Sequence, residues 1–188
     1  MTKLDNLKKI LTHPNTLTLY RIASIPLFVI LMLSDGKVAT IAAAILFSAA
    51  SITDYLDGYL ARKWGLITNL GKVMDPLADK LLVSSAFIML CAHNWIPAWI
   101  VCLIIGRELA VTGLRNMIAD KGDDLSASWL GKYKTVFQIS AIIPLIIHYP
   151  YFGINFDAIG AVLLWIALFF TVWSGVDYFY KHRNLLTY

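Results

Sequence analysis

The sequence predicts an all-α, polytopic membrane protein, with six transmembrane helices and a short N-terminal interfacial helix. Three observations carry that prediction. Hydrophobic residues make up 59% of the 188 positions and charged residues only 15%, too few to cover the surface that a soluble domain of this size exposes. Apolar stretches recur at about the 20 residues that a hydrocarbon core of about 30 Å requires. The basic residues gather in alternate connections, the asymmetry that membrane insertion imposes. The mean hydropathy of +0.67 agrees with all three.

Taken in order, residues 3–11 place Leu4, Leu7 and Leu11 on one helical face and Lys3, Lys8 and Lys9 elsewhere on the wheel. That pattern suits a helix lying in the headgroup region, and residues 1–15 are read as an interfacial segment. Met1 to Asn15 has no apolar core and no small-residue cleavage site, so no cleavable signal peptide is expected. Pro14 and Asn15 break the chain, with Asn15 or Thr16 as the expected N-cap of the next helix. Residues 16–188 are read as one membrane domain, with spans near 16–34, 38–63, 72–93, 95–118, 130–149 and 157–181. The connections are short except 119–129, where Asp120, Lys121, Gly122, Asp123 and Asp124 make a polar turn.

Charge positions set the orientation. Lys3, Lys8, Lys9, Arg62, Lys63, Arg115, Lys121, Lys132, Lys134, Lys181 and Arg183 fall on one side, and only Lys37 lies in a connection on the other. Both termini are therefore expected in the cytosol, in the inner (cell) membrane of a bacterium. The formal charge of +4 does not point to nucleic acid, because no basic stripe interleaves with exposed aromatics. Cys91 and Cys102 lie in apolar segments without metal-ligand spacing and read as small buried hydrophobes.

The second and third spans carry Asp54, Asp57, Asp75 and Asp79 among apolar neighbours. An ionised carboxylate at the centre of a membrane helix costs roughly 2.5–3.5 kcal/mol on insertion scales, less toward the ends. Four such groups facing lipid are unfavourable, and four facing one another repel. A divalent cation answers both objections. Asp54 and Asp57 are three apart, Asp75 and Asp79 four apart, so each pair shares a helical face. The short turn from Trp64 to Leu70 returns the third span antiparallel and brings both pairs to one depth. All-oxygen ligation suits Mg2+ or Mn2+. Pairing with Arg62, Lys72 and Lys80 accounts for one or two of the four acids. Gly58 and Ala61, three apart on the acidic helix, leave it slim enough for a neighbour or ligand to approach.

The run Asp54-Tyr-Leu-Asp57-Gly58-Tyr-Leu-Ala61-Arg62, eight further residues, Gly71, and then Asp75 and Asp79 resembles the signature of the CDP-alcohol phosphotransferase family, with all eight defining positions filled. The resemblance implies that the four aspartates hold one or two divalent metals, which bind the diphosphate of a CDP-linked donor. It implies Asp79 as the general base that takes the acceptor hydroxyl proton. Asp57, Gly58, Ala61, Arg62 and Gly71 are implied in donor binding, with Gly58 and Ala61 making room for the cytidine and Arg62 supporting the site electrostatically. The implied assembly is a homodimer.

Three more stretches resemble the phosphatidylglycerophosphate synthase branch of that family: Pro14 to Arg21, Gly106-Arg107-Glu108 with Thr112 to Arg115, and Gly131 to Thr135 with Gln138. That branch takes CDP-diacylglycerol as donor and glycerol 3-phosphate as acceptor and releases CMP. Independently of the resemblance, Arg107 and Arg115 are eight apart and share a helical face, while Lys132 and Lys134 open the fifth span across a short loop. An anionic acceptor needs such a cluster, and Arg107, Arg115, Lys132 and Lys134 are expected to grip its phosphate. Glu108 adjoins Arg107 but points elsewhere on the helix and reads as a structural partner. Asp177 and Lys181 read as an i,i+4 ion pair. Within the family, the alternative acceptors are serine, an inositol phosphate or phosphatidylglycerol. Outside it, a divalent-metal or proton-coupled transporter is the rival reading. The clustering of the acids at one end, with no polar trail to the far side, weighs against transport.

Overall fold

The computed structural model describes residues 14–64, 69–119, 129–181 and 183, with only the backbone described for residues 14–18, 55–64, 69–73, 75, 76 and 119. The expected interfacial helix at 3–11 and the polar turn after Ala119 lie outside the described residues. Among those described, six α-helices form: α1 Pro14–Met32, α2 Lys37–Trp64, α3 Asn69–Ala92, α4 Ala98–Ala119, α5 Trp129–Ile147 and α6 Phe156–Lys181. No strand accompanies them, only an isolated bridge between Tyr151 and Ile154. Lys37–Asp54, Trp129–Ile147 and Phe156–Lys181 are each long and apolar enough to cross a membrane. α3 is interrupted by Lys72, Asp75, Asp79 and Lys80, and α4 by Arg107, Glu108 and Arg115, which shortens their apolar runs.

One expectation about α1 needs correction. Pro14 is the first described residue and is already helical, so Asn15 and Thr16 lie inside α1 and do not cap it. The ring of Pro14 presets a helical φ, and its missing N–H is one that the first turn leaves unpaired anyway.

The chain divides into two units, Met1–Met89 and Leu90–Tyr188. In the first, α1 packs on α2 in antiparallel register. Phe28 meets Phe47 with ring centroids 6.0 Å apart, and two turns nearer the start of α1, Arg21 meets Asp54. Ala43, Ala44 and Ala50 keep the buried side of α2 slim, which lets two membrane helices approach closely. On α3, Ala78, Leu82 and Ala86 make a buried stripe at four-residue steps.

In the second unit α5 and α6 form an antiparallel hairpin, and α4 packs on α6. At Gly160 the two helices approach closely: a Cβ there would lie 2.6 Å from Leu145 Cγ and 3.0 Å from the Leu145 backbone nitrogen. The connection turns through Phe152 and Gly153, both at positive φ, and Asn155 Oδ1 accepts the Ala158 N–H to cap α6. Before α4, the chain leaves α3 by a Schellman motif. Trp95 N–H donates to Leu90 O, Asn94 N–H donates to Cys91 O, and Asn94 takes the left-handed conformation with φ 59°. On α4, Ile100, Ile104, Val111, Leu114 and Ile118 form a buried stripe, and Arg107 occupies the register position between Ile104 and Val111.

Candidate functional site

The acidic set belongs to the first unit. α2 is helical through Asp54 and Asp57, and α3 through Asp75 and Asp79, so each pair keeps the shared face expected from its spacing. Asp54 and Asp79 are half-buried. The side chains of Asp57, Ala61, Arg62 and Asp75, and the surroundings of Gly58 and Gly71, lie outside the described residues. Asp54 takes the Arg21 guanidinium, whose Nη1 sits 2.6 Å from its Oδ1. Arg21 is only 3% exposed, and Ser24 Oγ donates to its backbone carbonyl one turn on. A buried guanidinium on an apolar helix is stable only beside an anion, and Asp54 supplies one. Arg21 thereby also offsets the negative charge of Asp54.

Whether this set suits a divalent ion turns on its donors. Carboxylate oxygens are the hard ligands that Mg2+ and Mn2+ take. Among the described residues no group of three or more His, Cys, Asp or Glu side chains gathers at one point, and two of the four aspartates fall outside that description. The chemistry and helical spacing of the four positions fit such an ion.

The basic set belongs to the second unit, and the structure divides it. Arg107 on α4 and Lys134 on α5 meet through Glu108. Arg107 Nη1 donates to Glu108 Oε1 at 2.7 Å, and Lys134 Nζ donates to the same oxygen. Lys134 is 5% exposed. On the α6 side, Arg107 Nη2 donates to Ser174 Oγ at 3.0 Å. The arginine stem lies flat against Gly175, where a Cβ would stand 3.1 Å from Arg107 Cγ. Ser174 in turn donates to Thr171 O, and Thr171 Oγ1 accepts from Gln138 Nε2 of α5 at 3.1 Å. A ladder of hydrogen-bonded polar side chains therefore ties α4 and α5 to α6 inside a largely apolar unit.

Arg115 and Lys132 stand apart from that ladder. Arg115 is exposed and acts electrostatically on Tyr178 of α6. Lys132 is exposed, with its ammonium 4.7 Å from the Trp129 ring centroid. Lys132 and Lys134 are two positions apart on a helix of 3.6 residues per turn and so face nearly opposite ways. Glu108 is the structural partner expected from sequence, but it does not point away from Arg107. Neighbouring residues do diverge by about 100° on a helix, but the long arginine side chain curls back across the gap and meets the carboxylate. Asp177 and Lys181 form the expected ion pair at 2.8 Å.

Three residues of these sites were not singled out from sequence: Arg21 as a site member, and Ser174 and Gly175 altogether. A signal existed for Arg107 and Arg21, since each is a cation in an apolar helical stretch and needs a nearby anion. Nothing comparable marks Ser174 and Gly175, a small pair of the kind that often does no more than pack membrane helices.

Comparison with known proteins adds to this geometry. The profile of the family described as CDP-alcohol phosphatidyltransferase matches residues 11–173. A CDP-diacylglycerol–glycerol-3-phosphate 3-phosphatidyltransferase of Bacillus subtilis (strain 168) is 49% identical over 185 residues, covering 92% of this chain and 96% of its own. Proteins of the same name from Rickettsia bellii and Sodalis glossinidius are 41% and 34% identical, covering 88% and 93% of this chain and 92% and 96% of their own.

Proposed function

This chain belongs to the CDP-alcohol phosphatidyltransferase family, and from that premise we propose that it transfers the phosphatidyl group of CDP-diacylglycerol to glycerol 3-phosphate, giving phosphatidylglycerophosphate and CMP. The observation that supports an anionic acceptor is the pairing of half-buried Arg107 with buried Lys134. Two cations from different helices, joined on one carboxylate, suit an acceptor that brings its own phosphate. A neutral acceptor gives them no anion to meet, and zwitterionic serine offers a carboxylate in place of a phosphate.

In this reading the acceptor hydroxyl oxygen forms the new bond to the phosphatidyl phosphorus. The bond from that phosphorus to CMP breaks, CMP leaves with the electron pair, and the Asp79 carboxylate takes the hydroxyl proton. Asp54, Asp57, Asp75 and Asp79 would hold Mg2+ or Mn2+, which when bound neutralises charge on the diphosphate oxygens. Arg21 fixes Asp54. Asp57, Gly58, Ala61, Arg62 and Gly71 receive the CDP moiety, Arg107 and Lys134 grip the acceptor phosphate, and Arg115 and Lys132 add positive charge outside that grip. The membrane domain spans 16–188 and crosses the inner membrane six times, with both termini and the active site on the cytosolic side. It works as a homodimer.

The test is an acceptor panel with purified enzyme, CDP-diacylglycerol and Mg2+, scoring CMP release with glycerol 3-phosphate, serine, an inositol phosphate and phosphatidylglycerol. Release with glycerol 3-phosphate alone, abolished by excess chelator, is the expected result. Faster turnover with another acceptor would replace the assignment, and full activity in chelator would remove the metal.

A further inference from the structure

We infer that Glu108 and Ser174 are positioning residues of the anion site, setting the place of Arg107 and Lys134 without touching substrate themselves. The inference rests on the reading of those two cations as the acceptor-phosphate grip. Each cation sits in an apolar helix, and like charges a few ångströms apart in a poorly polarisable interior repel. Glu108 answers that repulsion with one atom: its Oε1 accepts from Arg107 Nη1 and from Lys134 Nζ. α4 and α5 are thereby pinned to a common point. A phosphate gains most from donors already held at a fixed separation, because little ordering remains to be done when it arrives.

Ser174 completes the seat from the third helix. Its hydroxyl accepts from Arg107 Nη2 and donates to Thr171 O, so its own orientation is fixed. With Nη1 on Glu108 and Nη2 on Ser174, both terminal nitrogens of the guanidinium are tied and its plane is set. Gly175 beside it leaves room for the arginine stem. Glu108 is thus not a surplus countercharge. It spaces the two cations and, with Ser174, aims one of them.

The test measures KM and kcat for glycerol 3-phosphate, and KM for CDP-diacylglycerol, on the full-length purified enzyme. Glu108→Gln should raise the acceptor KM roughly 10-fold and Ser174→Ala about 3-fold, the scale of one lost hydrogen bond to a charged group and a weaker one. Donor KM and kcat should stay within about 3-fold, which a general structural defect would not allow. Arg107→Ala tests the underlying reading, and adding Glu108→Gln to it should make acceptor KM little worse, since the two act through one group. If Arg107→Ala leaves acceptor KM unchanged, the reading of the cations falls and this inference with it. If Arg107→Ala raises it while folded Glu108→Gln leaves it unchanged or lowers it, the reading stands and the positioning role is overturned. Equal losses in kcat and both KM values with Glu108→Gln also overturn it. Should Glu108→Gln fail to fold, Ser174→Ala decides by the same split.

Discussion

Asp79 and Arg107 show how differently single residues declare themselves. Asp79 stands one turn beyond Asp75 at the last position of a spaced acidic motif, and the family resemblance of that motif implies its candidate role. As the proposed general base it should matter to the chemical step more than to donor affinity. Asp79→Asn is expected to lower kcat by about 10²–10⁴-fold, with a smaller change in the dissociation constant for CDP-diacylglycerol. Loss of donor binding with turnover retained at saturation would assign it to the donor instead. Arg107 is different. Its register on α4 places it in the buried stripe, but its partners Glu108 and Ser174 come from the neighbouring residue and from a helix 67 positions away. Sequence periodicity gives its face and not its company.

At the scale of elements, two features decide whether the helices meet correctly. The α5–α6 hairpin depends on Gly160, where a Cβ would stand 2.6 Å from Leu145 Cγ with the Leu145 backbone just behind. Gly160→Leu should therefore destabilise the second unit by about 1–3 kcal/mol through overpacking. A lowered thermal midpoint in detergent would show it, with partial recovery on adding Leu145→Ala. An unchanged midpoint would mean that the hairpin opens without loss. The second feature is the exit from α3, where Asn94 holds φ 59° in a Schellman motif. A β-branched residue resists that conformation by about 1–2 kcal/mol, whereas glycine adopts it freely. Asn94→Val should lower the midpoint and Asn94→Gly should leave it level or raise it. The reverse order would show that the Asn94 side chain, not its backbone, is what matters.

For the molecule as a whole, the outward faces of the helices are apolar. Ile30, Ile45, Leu103, Val162, Phe169 and Trp173 are all exposed, and such side chains are at home in lipid tails, not in water. The chain is an integral membrane protein. What holds its helices together is accordingly not apolar burial alone, since lipid offers the same contact. Small residues on α2, the Gly160 contact and the buried polar ladder from Gln138 to Arg107 supply the specificity. The proposed orientation predicts which ends face which side. In a Cys91→Ser, Cys102→Ser background, Phe152→Cys should react with an impermeant maleimide from outside intact cells. Asn116→Cys should react only after permeabilisation. The opposite pattern would invert the topology and move the proposed active site out of the cytosol.

The sequence by itself determined the helical architecture, because bilayer thickness turns apolar length into a boundary signal. The expected spans and the observed helices differ by only a few residues at each end. It also determined the acidic motif, because helical spacing needs no tertiary contact to place two carboxylates on one face. Only the tertiary structure decided that Arg21 closes on Asp54 and that Arg107 and Lys134 share Glu108. Those outcomes depend on the register of one helix against another, set by small residues and close packing over the whole interface. A long charged side chain then reaches whichever partner that register brings within range.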